Sequence, residues 1–192
     1  MVAELLQYIS EKTLSRLEAE ALLAGIMLDT KNFVLKTGVR TFEAAAYLRR
    51  RGADTVEVKR LFSNSIDTYK AKYQLVSGAE IYNNCAIACA EEEMPDIRIA
   101  AAQAADELLS IQGVNASFVV FPTGTTINIS ARSLGDVNVQ IIMEAMGGGG
   151  HLTMAAAQMK DISLQEARDH LVSVLNNILP QASKFPAGTG KN

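Results

Sequence analysis

A chain of 192 residues, 48% hydrophobic and 20% charged, can hold one medium domain or two small ones around a buried core, which excludes a disordered or fibrous protein. The net charge of -3 argues against duplex nucleic acid as the main partner, because duplex binding leaves a basic footprint, yet it permits a local basic pocket for one nucleotide. Two cysteines, Cys85 and Cys89, without a secretory signal indicate free thiols in a reducing, cytoplasmic setting, and no apolar run approaches the roughly 20 residues of a membrane helix.

Helical spacing begins without a lead-in. The stretch VAELLQYISE places Leu5, Leu6 and Ile9 on one side, as expected for a segment of a longer protein. The spacing predicts helices over 2–11 and from Arg16 to Met27, then a polar loop from Asp29 to Gly38 around Phe33. Thr41 is the expected N-cap of the next helix and Gly52 its stop. One further helix is expected over 55–75, where Val56, Val58, Leu61 and Phe62 recur at near-helical intervals and Tyr69 and Tyr73 serve as packing residues.

The character changes near Gly78. Residues 80–90 read as a single strand with Cys85 and Cys89 on one side, in the core. An alanine-rich helix is expected over 95–109. SFVVFP and TTINISAR read as two strands joined by a turn at Pro122 to Gly124. A short helix over 136–146, the run Gly147 to Gly150, a strand in AAAQMK and a last helix over 163–179 complete the block, the last opened by Ser163 and Glu166 at capping-box spacing. The tail from Pro180 is expected to fray. These elements predict an α/β chain: a helical block over 1–77, a mixed-sheet α/β block over 78–180 and a tail over 181–192, with a junction near Ser77–Gly78.

The glycine run followed by His151 is the most informative local feature. Consecutive glycines bare their backbone N–H groups and admit φ > 0, so the loop can wrap a phosphate in an anion nest to which His151 adds a hydrogen bond. Read alone, it serves equally well as a helix C-cap beside a surface histidine. The preceding helix presents its negative end and does not help an anion. Arg132 and Ser133 end a predicted strand, where an arginine offers a planar fork to phosphate or base, or lies in solvent. Asp29 closes an apolar helix at the unfavourable end of its dipole and calls for a cation: a metal ion, Lys31 or Arg40, with the salt bridge preferred on the residues alone. Cys85 and Cys89 lack a matching pair for zinc, His170 lies on an amphipathic helix as a surface or half-buried residue, and Arg49 to Arg51 suit a helix C-terminus.

Three segments taken together change the reading: LLAGIMLDTKNF at 22–33, TGVRTFEAAAYLRRRGAD at 37–54 and ARSLGDVNVQIIMEAMGGGGH at 131–151. In order and spacing they resemble the DHH phosphodiesterase superfamily with its C-terminal DHH-associated domain, and among its members the bacterial membrane-anchored cyclic di-AMP phosphodiesterases that carry sensory domains upstream. The resemblance implies that 1–77 is the helical end of a DHH catalytic domain and that 78–180 is the nucleotide-binding associated domain. It implies Arg132, Ser133, Gly148, Gly149, Gly150 and His151 as substrate contacts, Asn138 near the nucleotide, and Asp29 as a ligand of manganese (Mn2+). The early histidine, the paired aspartates and the Asp-His-His triplet of the family are missing, and a two-metal site needs several ligands around cations roughly 3.5–4 Å apart. The implied role is therefore a fragment of a manganese-dependent hydrolase of cyclic di-AMP in bacterial signalling, which supplies the nucleotide grip and is inactive by itself. Membrane contact would come only through upstream segments. A DHH-family oligonucleotide exonuclease is the alternative, since such relatives share the Arg-Ser and glycine-histidine elements, and a non-catalytic nucleotide-binding module is the third reading. The expected partner is a cyclic dinucleotide or short oligonucleotide, and apolar surface left uncovered in the first block would favour a homodimer.

Overall fold

The computed structural model describes residues 1–9 and 14–179. The chain divides into two compact units, one of Met1–Asn64 and one beginning at Ser65. The tail expected at 181–192 lies outside the described residues.

The first unit holds four helices: α1 (Val2–Ile9), α2 (Arg16–Asp29), α3 (Val39–Arg50) and α4 (Thr55–Leu61). Ala19, Leu23, Ala44, Leu48 and Val58 form the centre of its core. Ser15 opens α2 with a full capping box: its hydroxyl accepts the Glu18 N–H at 3.3 Å, and Glu18 Oε2 accepts the Ser15 N–H at 2.8 Å. Helix α3 starts earlier than expected. Gly38 rather than Thr41 is its N-cap, and Thr41 sits inside the first turn, its hydroxyl accepting the Gly38 N–H at 3.4 Å. The basic run serves the end of α3, with Arg49 Nη1 donating to the Ala53 carbonyl at 2.5 Å and Arg51 over the Tyr47 ring at 5.3 Å.

The helix expected over 55–75 is broken. Helix α4 ends at Leu61 and α5 (Ile66–Ser77) starts afresh. Serine side chains compete for the backbone between them: Ser63 Oγ donates to the Arg60 carbonyl at 2.7 Å, and Ser65 Oγ accepts the Thr68 N–H at 3.1 Å. By packing, the units therefore meet at Asn64–Ser65 and not at Ser77–Gly78, because Ala71 and Leu75 of α5 join the core of the second unit. With Thr68, Ala71 and Leu75 turned inward, Tyr69 and Tyr73 fall on the outer face, 53% and 64% exposed, and do not pack as expected.

The second unit is a six-stranded mixed sheet with helices on both sides. Its strands are β1 (Glu80–Tyr82), β2 (Cys85–Cys89), β3 (Ala116–Thr123), β4 (Thr126–Ser133), β5 (Gly149–His151) and β6 (Met154–Lys160), in the order β1-β2-β3-β4-β6-β5. Strands β2 and β3 run parallel, joined over α6 (Ile97–Leu108), and the other pairs are antiparallel. The segment expected as one strand over 80–90 is a hairpin. Asn83 and Asn84 adopt φ of 48° and 61°, the two positive values that a type I′ turn requires. Strand β3 continues through Pro122, which pairs with Ile127 beyond the end of β2, so the next turn lies at Gly124–Thr125 and not at Pro122 to Gly124.

One face of the sheet buries Ile87, Phe118, Val120, Ile129 and Ala131 under α7 (Val139–Ala145) and α8 (Leu164–Ile178). The other buries Ala86, Ala88, Val119 and Phe121 under α5 and α6. The alanines of α6 let it lie close, so that Ser117 Oγ reaches the Ala105 carbonyl at 2.5 Å. Helix α6 packs over β3 and β4. Beyond it Met154, Ala156, Gln158 and Lys160 of β6 are exposed, so this face is covered at β4 and open at β6.

Cys85 and Cys89 both point into the core, as expected from their spacing on one strand. Burial pushes the Cys85 thiol up from 9.0 to about 11. A pKa raised on folding contributes stability that is complete below about pH 9 and is lost as pH rises through about 11. The native chain should therefore leave Cys85 unreactive to a disulfide reagent at pH 8, whereas the urea-unfolded chain should titrate both thiols. Stoichiometric labelling of Cys85 in the native chain would contradict this.

Candidate functional site

Strand β4 alternates cleanly. Ile127, Ile129 and Ala131 enter the core, and Thr126, Asn128, Ser130 and Arg132 take the opposite face. Residues directly opposite each other in an antiparallel pair share a face. The register pairs Arg132 with Met154 and Met154 with His151, and pairs Ser130 with Ala156 and Ala156 with Gly149. Arg132 and His151 thus end one row across three strands, about 10 Å apart at their Cα atoms. The neighbouring row, Ser130-Ala156-Gly149, carries almost no side chain. The result is a shallow floor with a cation at one corner and an imidazole at the other.

Arg132 does not lie in solvent. Its side chain is 11% exposed, and its Nε stands 3.3 Å from Asp106 Oδ1 on α6. Nη1 donates to the Ala131 carbonyl at 2.9 Å, while the Nε–H has no aligned acceptor. Burial lowers its pKa and Asp106 opposes that shift. The guanidinium is therefore held but not saturated. His151 is exposed.

The four glycines do different work, and the run is not a continuous nest. Gly147 takes φ of 77° and closes α7 in a Schellman pattern, its N–H bonding Glu144 at 3.0 Å and the Gly148 N–H bonding Met143 at 2.8 Å. Gly148 and Gly150 press on β6: a Cβ at Gly148 would lie 2.6 Å from the Ala157 Cα, and one at Gly150 would lie 2.5 Å from the Met154 carbonyl oxygen. A Cβ at Gly149 would meet nothing within 4 Å. That open space is the floor of the site. The turn after His151 is tied down, because the Leu152 carbonyl accepts the Val139 N–H at 3.1 Å and the Thr153 carbonyl accepts the Ser133 N–H at 3.0 Å. These bonds fix the His151 row against the end of β4.

Ser133 and Asn138 are not brought to the row. Ser133 is 1% exposed, and its hydroxyl donates to the Val137 carbonyl at 2.6 Å and accepts the Gly135 N–H at 3.0 Å. Strand alternation turns it away from Arg132. Asn138 is the N-cap of α7, its Oδ1 accepting the Gln140 N–H at 3.1 Å. Both side chains shape the loop between β4 and α7.

Asp29, in the other unit, is the exposed last residue of α2. The salt bridge to Arg40 does not form, since Arg40 bonds Glu4 at 2.7 Å. Thr30 ends the helix by donating to the Ile26 carbonyl at 2.7 Å and accepting the Phe33 N–H at 3.0 Å, and Lys31, Asn32 and Phe33 follow at positive φ. Three successive left-handed non-glycine residues are costly and mark a locally over-determined loop. Among the described residues no group of three or more His, Cys, Asp or Glu is placed to hold a metal ion. Asp29 alone therefore does not fit a two-metal centre, which needs several ligands.

Sequence reasoning missed Asp106, Asn128 and Gln158. The last two were visible as polar residues alternating with apolar ones in TINISAR and AAAQMK. Asp106 was not, because only the crossing of α6 over β4 brings it to Arg132.

The family model for the DHHA1 domain matches residues 85–180. The chain belongs to the DHHA1 family. The DHHA1 match spans β2 to the end of α8 and so contains the whole Arg132–His151 row. Over 180 residues the chain is 51% identical to the cyclic-di-AMP phosphodiesterase GdpP of Geobacillus thermodenitrificans, covering 92% of this chain and 27% of that protein. Over 179 residues it is 48% identical to the cyclic-di-AMP phosphodiesterase PdeA of Listeria monocytogenes, again covering 92% and 27%. This DHHA1 chain thus spans about a quarter of the length of these curated relatives. Among solved structures, an exopolyphosphatase-related protein from Bacteroides fragilis superposes with a TM-score of 0.83 at 22% identity, over 92% of this chain and 55% of that one, which is a likeness of fold.

Proposed function

We propose that this chain is the nucleotide-holding part of a cyclic di-AMP phosphodiesterase. The observation that carries the reading is the cross-strand row of Arg132, Met154 and His151 beside the bare floor of Ala156 and Gly149. A guanidinium fork and an imidazole at the two ends of one row, beside a side-chain-poor row, suit an anionic phosphate with its sugar lying flat. The similarity to GdpP and PdeA supports a cyclic dinucleotide as the substrate of the longer protein.

In this reading Ser133 and Asn138 act by setting the β4–α7 loop, and the first unit, Met1–Asn64, is the end of the catalytic domain. Asp29 would need further ligands from outside this chain to hold manganese, which would supply a Lewis acid there. The part of this chain's own residues is to bind and orient. No described helix is long and apolar enough to cross a membrane. We place this part on the cytoplasmic side of a protein anchored elsewhere in its length.

Calorimetric titration with cyclic di-AMP and with linear di-adenylate tests the assignment. Binding in the presence of a chelator is expected, weakened about tenfold in His151→Ala by loss of one hydrogen bond to the charged phosphate. Binding that is absent, or unchanged in His151→Ala, would overturn the grip. Manganese-dependent hydrolysis by this chain would overturn the division between holding and cutting.

A further inference from the structure

The open face carries a second polar group, four residues along β6 from the phosphate row, or ~13 Å of strand. Its parts are Thr123, Thr126, Asn128 and Gln158, and their hydrogen bonds have a fixed direction. Thr126 Oγ1 donates to the Thr123 carbonyl at 2.9 Å, an acceptor that cannot donate back. Thr126 Oγ1 is thereby left to accept, from Thr123 Oγ1 at 3.2 Å and from Gln158 Nε2 at 3.4 Å. Asn128 Nδ2 donates to Thr123 Oγ1 at 2.7 Å and to the Thr126 carbonyl at 3.4 Å, which fixes that amide, since only its NH2 side can face a carbonyl. Asn128 Oδ1 accepts Gln158 Nε2 at 3.2 Å. Both hydrogens of Gln158 are then in use. Asn128 is 9% exposed and locked, whereas Gln158 is exposed and its Oε1 has no partner among the described residues.

We propose that Gln158, oriented by Asn128, reads the nucleobase and selects an exocyclic amino group at its edge. The inference rests on the nucleotide-holding reading above. An amide whose NH2 is spent offers an acceptor alone. Adenine presents its N6 amino group to that acceptor, whereas a 6-oxo purine presents a lone pair that the Gln158 oxygen repels. Ser130, Ala156 and Gly149 lie between this group and the Arg132–His151 row, which leaves room for the sugar.

The test is an NMR titration of the 192-residue chain with adenosine 5′-monophosphate and inosine 5′-monophosphate, in wild type and Gln158→Met. Wild type is expected to bind the adenine nucleotide about five- to tenfold more tightly, the worth of one hydrogen bond gained against one repulsion. Gln158→Met should lower the adenine affinity and raise the inosine affinity as the repulsion is relieved, bringing the two together, with Tm unchanged. Equal affinities in wild type, or an equal loss of both in Gln158→Met, would overturn the base reading. If both nucleotides bind equally and Arg132→Ala loses both, the phosphate grip stands and only this inference falls. If neither binds, both fall.

Discussion

Arg132→Ala should weaken binding of a cyclic or linear dinucleotide by about 100-fold. Two charge-assisted hydrogen bonds from one fork to a phosphate are together worth ~3 kcal/mol, which corresponds to that factor. The guanidinium has little freedom to lose, because Asp106 and the Ala131 carbonyl already hold it. The same change removes the Arg132–Asp106 ion pair. The Asp106 side chain is 33% exposed, so water offsets most of the loss, and the chain should stay folded with a cost of about 1 kcal/mol. Arg132→Lys separates charge from shape. A lysine keeps the positive charge but not the planar fork, so it should restore the stability and recover at most a tenth of the affinity. Calorimetry together with thermal melts distinguishes these outcomes. Wild-type affinity in Arg132→Ala would remove the residue from the site.

The second large effect concerns the glycines, which should separate into two classes. Gly148→Ala and Gly150→Ala drive a Cβ into the β6 backbone, and backbone cannot move aside as a side chain can. Each should cost ~2–3 kcal/mol, on the order of 10 °C in Tm, and detach β5 from the sheet. Gly149→Ala meets no atom and should change stability by no more than about 0.5 kcal/mol. Its methyl group nonetheless projects onto the floor between Ala156 and the ligand, so nucleotide affinity should fall while Tm does not. A common loss of stability in all three variants would mean that the run is purely structural. A common loss of binding at constant Tm would restore the picture of a continuous anion nest.

Local patterning carried much of the fold. The start of α2 at Arg16, the capping box at Ser163, the alanine-rich α6 and the strand in TTINISAR all depend on residues within a few positions of one another, and each formed where the sequence reading placed it. The misreadings were also local in origin but turned on backbone choices that periodicity does not record. Ser63 and Ser65 broke a helix by bonding to its backbone, and Asn83-Asn84 folded a supposed strand into a hairpin by accepting positive φ. Gly38 took the cap from Thr41 because the loop before α3 arrives one turn earlier.

The GGGGH run by itself determined that the backbone from Gly147 to Gly150 is free to take positive φ, because glycine carries no Cβ. Strand alternation of period two also puts Arg132 and Ser133 on opposite faces, although both are expected from the sequence as substrate contacts. The sequence could not determine that Gly148 and Gly150 are crowded while Gly149 is open, which depends on how β5 crosses β6. Nor could it bring Asp106 to Arg132 or align Arg132 with His151, because residues far apart in the chain meet only through sheet register and helix packing.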